Sequence, residues 1–260
     1  MRHISSEQGM RALREFAAAN ALVAFDYDGT LAPISSEPDR APIGPRTRKL
    51  LRELALRYPC VLVSGRSRAD ARRRLRGIAF REIIGNHGIE PWNSSRAAAR
   101  AVRRWIPILR QRLGGISGLI LEDKGYSVSV HFRKSRMKKK VARAITEAAG
   151  MLRGVRLLGG KQVVNILPRG APDKGSAVER VRQRLHCDSV LYAGDDESDE
   201  HVFASAHRCP YLTIRVGRTR TSAADFYLRT QAEMNWLLKT LLEFRSHQRA
   251  DDPERRAAKR

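Results

Sequence analysis

Asp26 and Asp28 stand two residues apart in Asp26-Tyr27-Asp28-Gly29-Thr30, directly after the apolar run 22–25. Two carboxylates leaving the end of a buried strand emerge together where a glycine lets the chain turn sharply. One can attack phosphorus while the other handles protons, as covalent catalysis by a carboxylate requires. The same D-x-D-G pattern also opens calcium loops. This one lacks the further acid ligands of an EF-hand, with Thr30 at the fifth position of the loop.

A second cluster, Gly194-Asp195-Asp196-Glu197-Ser198-Asp199-Glu200, again follows an apolar stretch and places five acids in seven residues. The dipole of a helix start would favour two or three of them. Grouped this densely they need a cation, and carboxylate oxygens select a hard one such as Mg²⁺. Ser64, in Val63-Ser64-Gly65-Arg66, ends another apolar run and can donate its hydroxyl to a phosphate oxygen. Lys174, in Pro172-Asp173-Lys174-Gly175, is expected near a helix start, where charge and dipole both favour an anion.

The elements that must carry these groups alternate between strand and helix. Apolar runs at 22–26, 60–64 and 82–85 read as buried strands, separated by helical patterns at 47–57 and 66–76. That alternation predicts a parallel α/β sheet with its chemistry at the carboxyl ends of its strands. After Trp92 the pattern changes to a helix at 96–112, strands at 119–122 and 126–132, a helix at 135–149 and strands at 155–159 and 162–167. Ser-Val-Ser-Val-His-Phe (127–132) alternates as a strand with one exposed face does. From Pro172 the first pattern resumes, with helices at 175–186, 198–206 and 231–244 and strands at 189–194 and 211–216.

The fold class expected is therefore α/β, a doubly wound, mostly parallel core with an inserted α+β cap domain. The core takes 1–91 and 171–244, the cap takes 92–170, and 245–260 is expected to be a disordered basic tail.

Acid pair, serine, lysine and acid cluster, in that order, are similar to the four signature motifs of the haloacid dehalogenase superfamily. An insert between the serine and lysine motifs resembles that superfamily's second type of cap. Finer motifs resemble the trehalose-6-phosphate phosphatase family: Gly85-Asn86-His87-Gly88-Ile89-Glu90, Glu122-Asp123-Lys124-Gly125 and His131-Phe132-Arg133, beside the acid motifs and Ser64-Gly65-Arg66.

The resemblance implies that Asp26 is the nucleophile and Asp28 the general acid and base. It implies Mg²⁺ held by Asp26, the backbone carbonyl of Asp28 and Asp195, supported by Asp196 and Asp199. Ser64, Gly65 and Lys174 would bind the transferred phosphoryl group, and Lys174 would serve the chemistry as well. Asn86, His87, Glu122, Lys124, His131 and Arg133 would recognise the sugar. Ser198 stands where the family has threonine, and Phe132 where tyrosine is usual. Asn165 occupies a cap position where a glutamate that contacts sugar hydroxyls is expected, so it bears on which sugar is chosen rather than on phosphate chemistry. Trehalose 6-phosphate is the substrate implied, with sucrose phosphate, a glycosyl phosphoglycerate or a nucleotide as alternatives.

Composition sets the remaining limits. The 260 residues carry 50 Lys+Arg against 27 Asp+Glu, a net +23. Between Trp92 and Gly170 there are 18 Lys+Arg and 3 acids, so +15 of that charge falls in the insert. Such a surface attracts anions, by function or through an arginine-rich composition. A basic nucleic-acid-binding protein on a phosphatase fold is the rival from another class. The intact carboxylates Asp26, Asp28 and Asp195 argue against it, because a binder of polyanions would be better without them. No apolar run approaches the roughly 18–20 residues of a membrane span, and no secretory leader is expected. Cys60, Cys187 and Cys209 match no metal or redox spacing and read as reduced thiols of a cytoplasmic protein. Trp92, Trp105 and Trp236 read as packing residues, and His186, His201 and His207 fit no metal spacing. Oligomeric state is not legible.

Overall fold

Strand β2 (Ala21–Phe25) is buried along its whole length, because it runs through the middle of a sheet covered on both faces. Its alternate residues serve two cores. Ala21, Val23 and Phe25 pack with helices α1 (Glu7–Ala18), α2 (Pro45–Ala55) and α8 (Met234–Asp251). Leu22 and Ala24 pack with α6 (Lys174–Arg184) and α7 (Glu200–Phe203). The structure, a computed structural model, describes residues 1–35, 42–205 and 210–251.

The main sheet has seven strands. Besides β2 they are β1 (Arg2–His3), β3 (Cys60–Val63), β4 (Glu82–Ile84), β9 (Ser189–Gly194), β10 (Tyr211–Val216) and β11 (Phe226–Leu228). Their order is β1-β11-β10-β9-β2-β3-β4, and every neighbouring pair is parallel. From β2 the chain winds outward through β3 and β4, then returns to β9 on the other side. The switch point between β2 and β9 leaves a crevice at the carboxyl ends of both strands. Asp26 follows β2 there and Asp195 follows β9.

The second sheet is antiparallel, ordered β5 (Ile120–Asp123), β6 (Val128–His131), β8 (Val163–Pro168), β7 (Val155–Gly160). Helices α4 (Arg96–Leu113) and α5 (Lys138–Gly150) cover one face of it, meeting Val128, Val130 and Ile166. The alternate residues Ser129 and His131 point to the other face. That face looks onto the crevice, so the insert is a cap.

Two expectations change. The helix expected at 198–206 is a 3₁₀ turn, Glu197–Asp199, followed by the short α7. The final helix starts later and runs past 244 to Asp251. Arg57 donates to the carbonyl of Leu242 at 2.9 Å, and Arg245 to that of Ala17 at 2.7 Å, with its guanidinium over Tyr58. The first part of the expected tail is thus pinned helix, and 252–260 lie outside the described residues, as do Cys209 and His207. Among the described residues no helix is long and apolar enough to cross a membrane. Cys60 and Cys187 are buried free thiols.

Candidate active site

Asp26 is held at the sheet end by its backbone N–H, which donates to the carbonyl of Ala193 at 2.9 Å. The chain then turns through Gly29, whose φ of +82° lies in the left-handed region. A Cβ there would come 2.1 Å from Oδ2 of Asp195, so glycine is what lets the two acid loops touch. Thr30 Oγ1 donates to Asp195 Oδ1 at 3.2 Å across the same contact.

Lys174, the first residue of α6, sends a fully buried ammonium between two carboxylates. Its Nζ donates to Asp26 Oδ1 and Asp199 Oδ1, each at 2.8 Å. Asp199 Oδ1 also accepts from Tyr192 Oη at 2.6 Å, and its Oδ2 accepts the N–H groups of Asp195 and Asp196, both at 2.9 Å. Four donors occupy the acceptor sites of Asp199, so it braces Lys174 and the acid loop.

Burial and the neighbouring acids move these groups. Asp26 is pushed well above the usual carboxylate range by burial, with Lys174 opposing the shift. Asp195 is raised to about 6 by burial and by the charge of Asp199. Burial would lower Lys174, but Asp199 and Asp26 outweigh it and hold the ammonium protonated.

Asp26, Asp195 and Asp199 each offer a carboxylate oxygen within 4.8 Å of the others. An all-oxygen, buried set fits a hard metal ion: burial and neighbouring acids raise Asp26 and Asp195, whereas Lys174 and the donors around Asp199 outweigh its burial and bring it down. Asp26 and Asp195 have acceptor capacity to spare, while Asp199 has little. Asp196 lines the pocket outside this trio.

The pocket above Asp26 and Asp28 is walled by the cap. Gly65, His87, Glu122, Lys124, His131, Arg133, Asn165 and Lys174 all line it. Glu122 Oε2 pairs with His131 Nε2 at 2.8 Å, and Lys124 Nζ lies 3.7 Å from the same carboxylate. Burial would raise Glu122, yet the bond to His131 and the charge of Lys124 bring it down. Lys124 is lowered by burial. It also donates to the carbonyl of Gly65 at 2.9 Å, and Arg133 to that of Ser35 at 2.7 Å, so both tie cap to core. His87, at φ +57°, is buried with neither ring nitrogen bonded, and burial drives it well below the usual imidazole range. Asn165 accepts from Ser129 Oγ at 2.5 Å.

Two expected site residues stand elsewhere. Asn86 does not line the pocket: its Nδ2 donates to Glu90 Oε2 at 2.6 Å and to the carbonyl of Lys124 at 3.2 Å, and its Oδ1 accepts from Ser127 Oγ. With its amide occupied, Asn86 pins the β5–β6 turn to the core. Ser64 lies behind the pocket wall, fully buried, its Oγ accepting the N–H of Arg66 at 3.2 Å.

Sequence reasoning missed Arg66 and Lys161. Arg66 grips Asp28 with two hydrogen bonds, Nε to Oδ2 at 2.7 Å and Nη2 to Oδ1 at 2.6 Å. Lys161, in the β7–β8 turn, reaches down to Asp195 Oδ2. The available signal for Lys161 was the preceding Gly159-Gly160. A Cβ on either would run into Glu197 or Asp196, at 2.2 and 2.8 Å, so the pair lets the cap approach the acid loop.

Known proteins share this architecture. The trehalose-phosphatase family model matches residues 24–231. The trehalose-phosphate phosphatase of Mycobacterium tuberculosis is 33% identical over an alignment of 248 residues, which covers 86% of this chain and 63% of that protein. The chain thus spans less than two thirds of the length of such relatives. A solved trehalose-6-phosphate phosphatase related protein matches with a TM-score of 0.70 and 27% identity, over 87% of this chain and 99% of its own. The C-terminal domain of the C. albicans trehalose-6-phosphate phosphatase shares the fold at a TM-score of 0.76 and 19% identity, over 90% and 96% of the two chains. With the match running from strand β2 to the turn before α8, through both acid loops and the whole cap, the chain belongs to the trehalose-phosphatase family.

Proposed function

We propose that the protein hydrolyses trehalose 6-phosphate to trehalose and phosphate through a phosphoryl group carried on Asp26. The observation that carries this reading is the Asp26 carboxylate, 2.8 Å from the Lys174 ammonium, on the floor of a pocket roofed by the polar face of the cap sheet. Lys174 orients the nucleophile and offsets charge on the incoming phosphoryl group. Gly65 and Ser64 shape the phosphate wall from the end of β3. Asp28 moves the proton: it protonates the sugar oxygen as Asp26 displaces it, then takes a proton from the water that cleaves the acyl phosphate.

Asp26, the backbone carbonyl of Asp28 and Asp195 would hold Mg²⁺, which would supply further charge stabilisation. Asp196 and Asp199 support that site, Asp199 through the loop it braces.

Glu122, Lys124, His131, Arg133, His87 and Asn165 face the leaving group and choose the sugar. Their mixture of donors and acceptors suits a molecule rich in hydroxyls. The cap takes residues 92–170 and the core the segments 1–91 and 171 onward. A cytoplasmic setting accords with the buried thiols Cys60 and Cys187.

The test is phosphate release from a panel of esters, with and without Mg²⁺. Trehalose 6-phosphate is expected to have the highest kcat/KM and chelation to abolish turnover. A preference for sucrose phosphate, a glycosyl phosphoglycerate or a nucleotide would remove the trehalose assignment. Salt-dependent nucleic-acid binding with no hydrolysis of any ester would favour the rival class.

A further inference from the structure

Asp28 sits on a turning loop with its side chain 41% exposed to the pocket, whereas the Arg66 side chain that grips it is 10% exposed. The grip is two-pronged and the guanidinium is itself immobilised. Arg66 Nη1 donates to Asp70 Oδ2 at 2.8 Å, and that same oxygen accepts Arg74 Nε at 2.8 Å. The guanidinium carbon lies 5.2 Å from the centre of the Tyr27 ring, one residue from both acids of the loop. The Arg66 N–H is fixed on Ser64 Oγ. Helix α3 (Arg68–Arg74) thereby braces the group that holds one face of a carboxylate whose other face is open.

We propose that Arg66 is the positioning residue for proton transfer by Asp28, a role that rests on the phosphatase reading above. Each Asp28 oxygen gives one acceptor site to the guanidinium and keeps another for a proton. In the first step the Asp26 oxygen–phosphorus bond forms, the phosphorus–sugar oxygen bond breaks, and the proton of the Asp28 carboxyl goes to the departing oxygen. In the second, the water oxygen bonds to phosphorus, the Asp26–phosphorus bond breaks, and the water proton returns to Asp28. Both transfers need the carboxyl at one place while the partner oxygen changes, which a planar two-pronged donor secures and a point charge does not.

The experiment compares the full chain with Arg66→Gln and Arg66→Lys, all saturated with Mg²⁺, on two leaving groups by rapid mixing. The departure of 2,4-dinitrophenolate needs no proton. Its first step in Arg66→Gln is expected to stay within about threefold of the parent, releasing about one equivalent in a burst, while steady turnover falls about 100-fold because the water step still needs Asp28. Single turnover of trehalose 6-phosphate, which needs the proton at once, is expected to fall about 100-fold with no burst. Arg66→Lys keeps the charge inside the fold and should show the same split at smaller amplitude, so it carries the test alone if the glutamine variant does not fold. Equal slowing of the first step on both leaving groups would overturn the role and make Arg66 a phosphate or scaffold contact. Unchanged kinetics on both would overturn it too. Phosphoryl label on Asp26 is followed in the parent alongside. Its absence there fails the phosphatase reading itself, whereas its presence with uniform losses in the variants fails only the role of Arg66.

Discussion

Lys174 and Asp26 are 148 residues apart in the chain and 2.8 Å apart in the fold, joined by a buried charge-assisted hydrogen bond. The pair spans the crevice at the switch point of the sheet, with Asp199 completing a buried triad. Removing the cation would strand two carboxylates away from water. Lys174→Met is therefore expected to cost about 3–5 kcal/mol of stability as well as activity. Urea unfolding checks this, and a loss below about 1 kcal/mol would show that the triad exchanges its partners freely.

The acid cluster also makes stability depend on pH. Asp195 is raised from 3.8 to about 6 by burial and the Asp199 charge, and Asp26 moves the same way. An acid raised in the folded state favours folding while it is protonated. That contribution is complete below about pH 4 and is lost as pH rises through about 6. For Asp195 it amounts to on the order of 3 kcal/mol. In chelator, Asp195→Asn should accordingly stabilise the protein relative to the parent more at pH 7.5 than at pH 4, by roughly 2–3 kcal/mol. Equal effects at the two pH values would refute the shift.

Residues at the boundary of cap and core are expected to divide into those that hold and those that choose. Asn86→Ala leaves Ser127, Glu90 and the Lys124 carbonyl without their shared partner and should cost about 1–3 kcal/mol. Its effect on turnover should be alike for trehalose 6-phosphate and p-nitrophenyl phosphate. Glu122→Ala should instead lower kcat/KM for the sugar phosphate about 10-fold or more beyond its effect on the aryl ester. Paired assays of both variants on both substrates check the division, and a sugar-selective loss in Asn86→Ala would reverse its assignment.

The parts of this fold that were legible are those where one physical demand dominates. β2, β3 and β9 must be apolar on both faces, so they read as runs, and β6 shows its two environments as Val128 and Val130 alternating with Ser129 and His131. β1 and β11 were missed because two or three residues at a sheet edge carry no period. The positions of Asp26 and Asp195 after strands and of Lys174 at a helix start were legible from the runs that precede or follow them. The contact of Arg66 was not, although Ser64-Gly65-Arg66 was in view, because its partner Asp28 lies 38 residues away and only the parallel pairing of β2 with β3 brings them together. The bonds of Asn86 were hidden for the complementary reason: a buried amide that bonds three neighbours looks, in sequence, the same as one that faces a ligand.

The most direct test of the account is to find where the phosphoryl group goes. The Mg²⁺-loaded protein is mixed with trehalose 6-phosphate, quenched in acid, and its peptides are mapped by mass, with Asp28→Asn run in parallel to slow the water step. The account predicts one phosphoryl group on the peptide bearing Asp26, converted to homoserine at that position by borohydride, and no label or turnover in Asp26→Asn. Turnover by Asp26→Asn within about tenfold of the parent, a difference of only about 1.4 kcal/mol in the barrier, would contradict it.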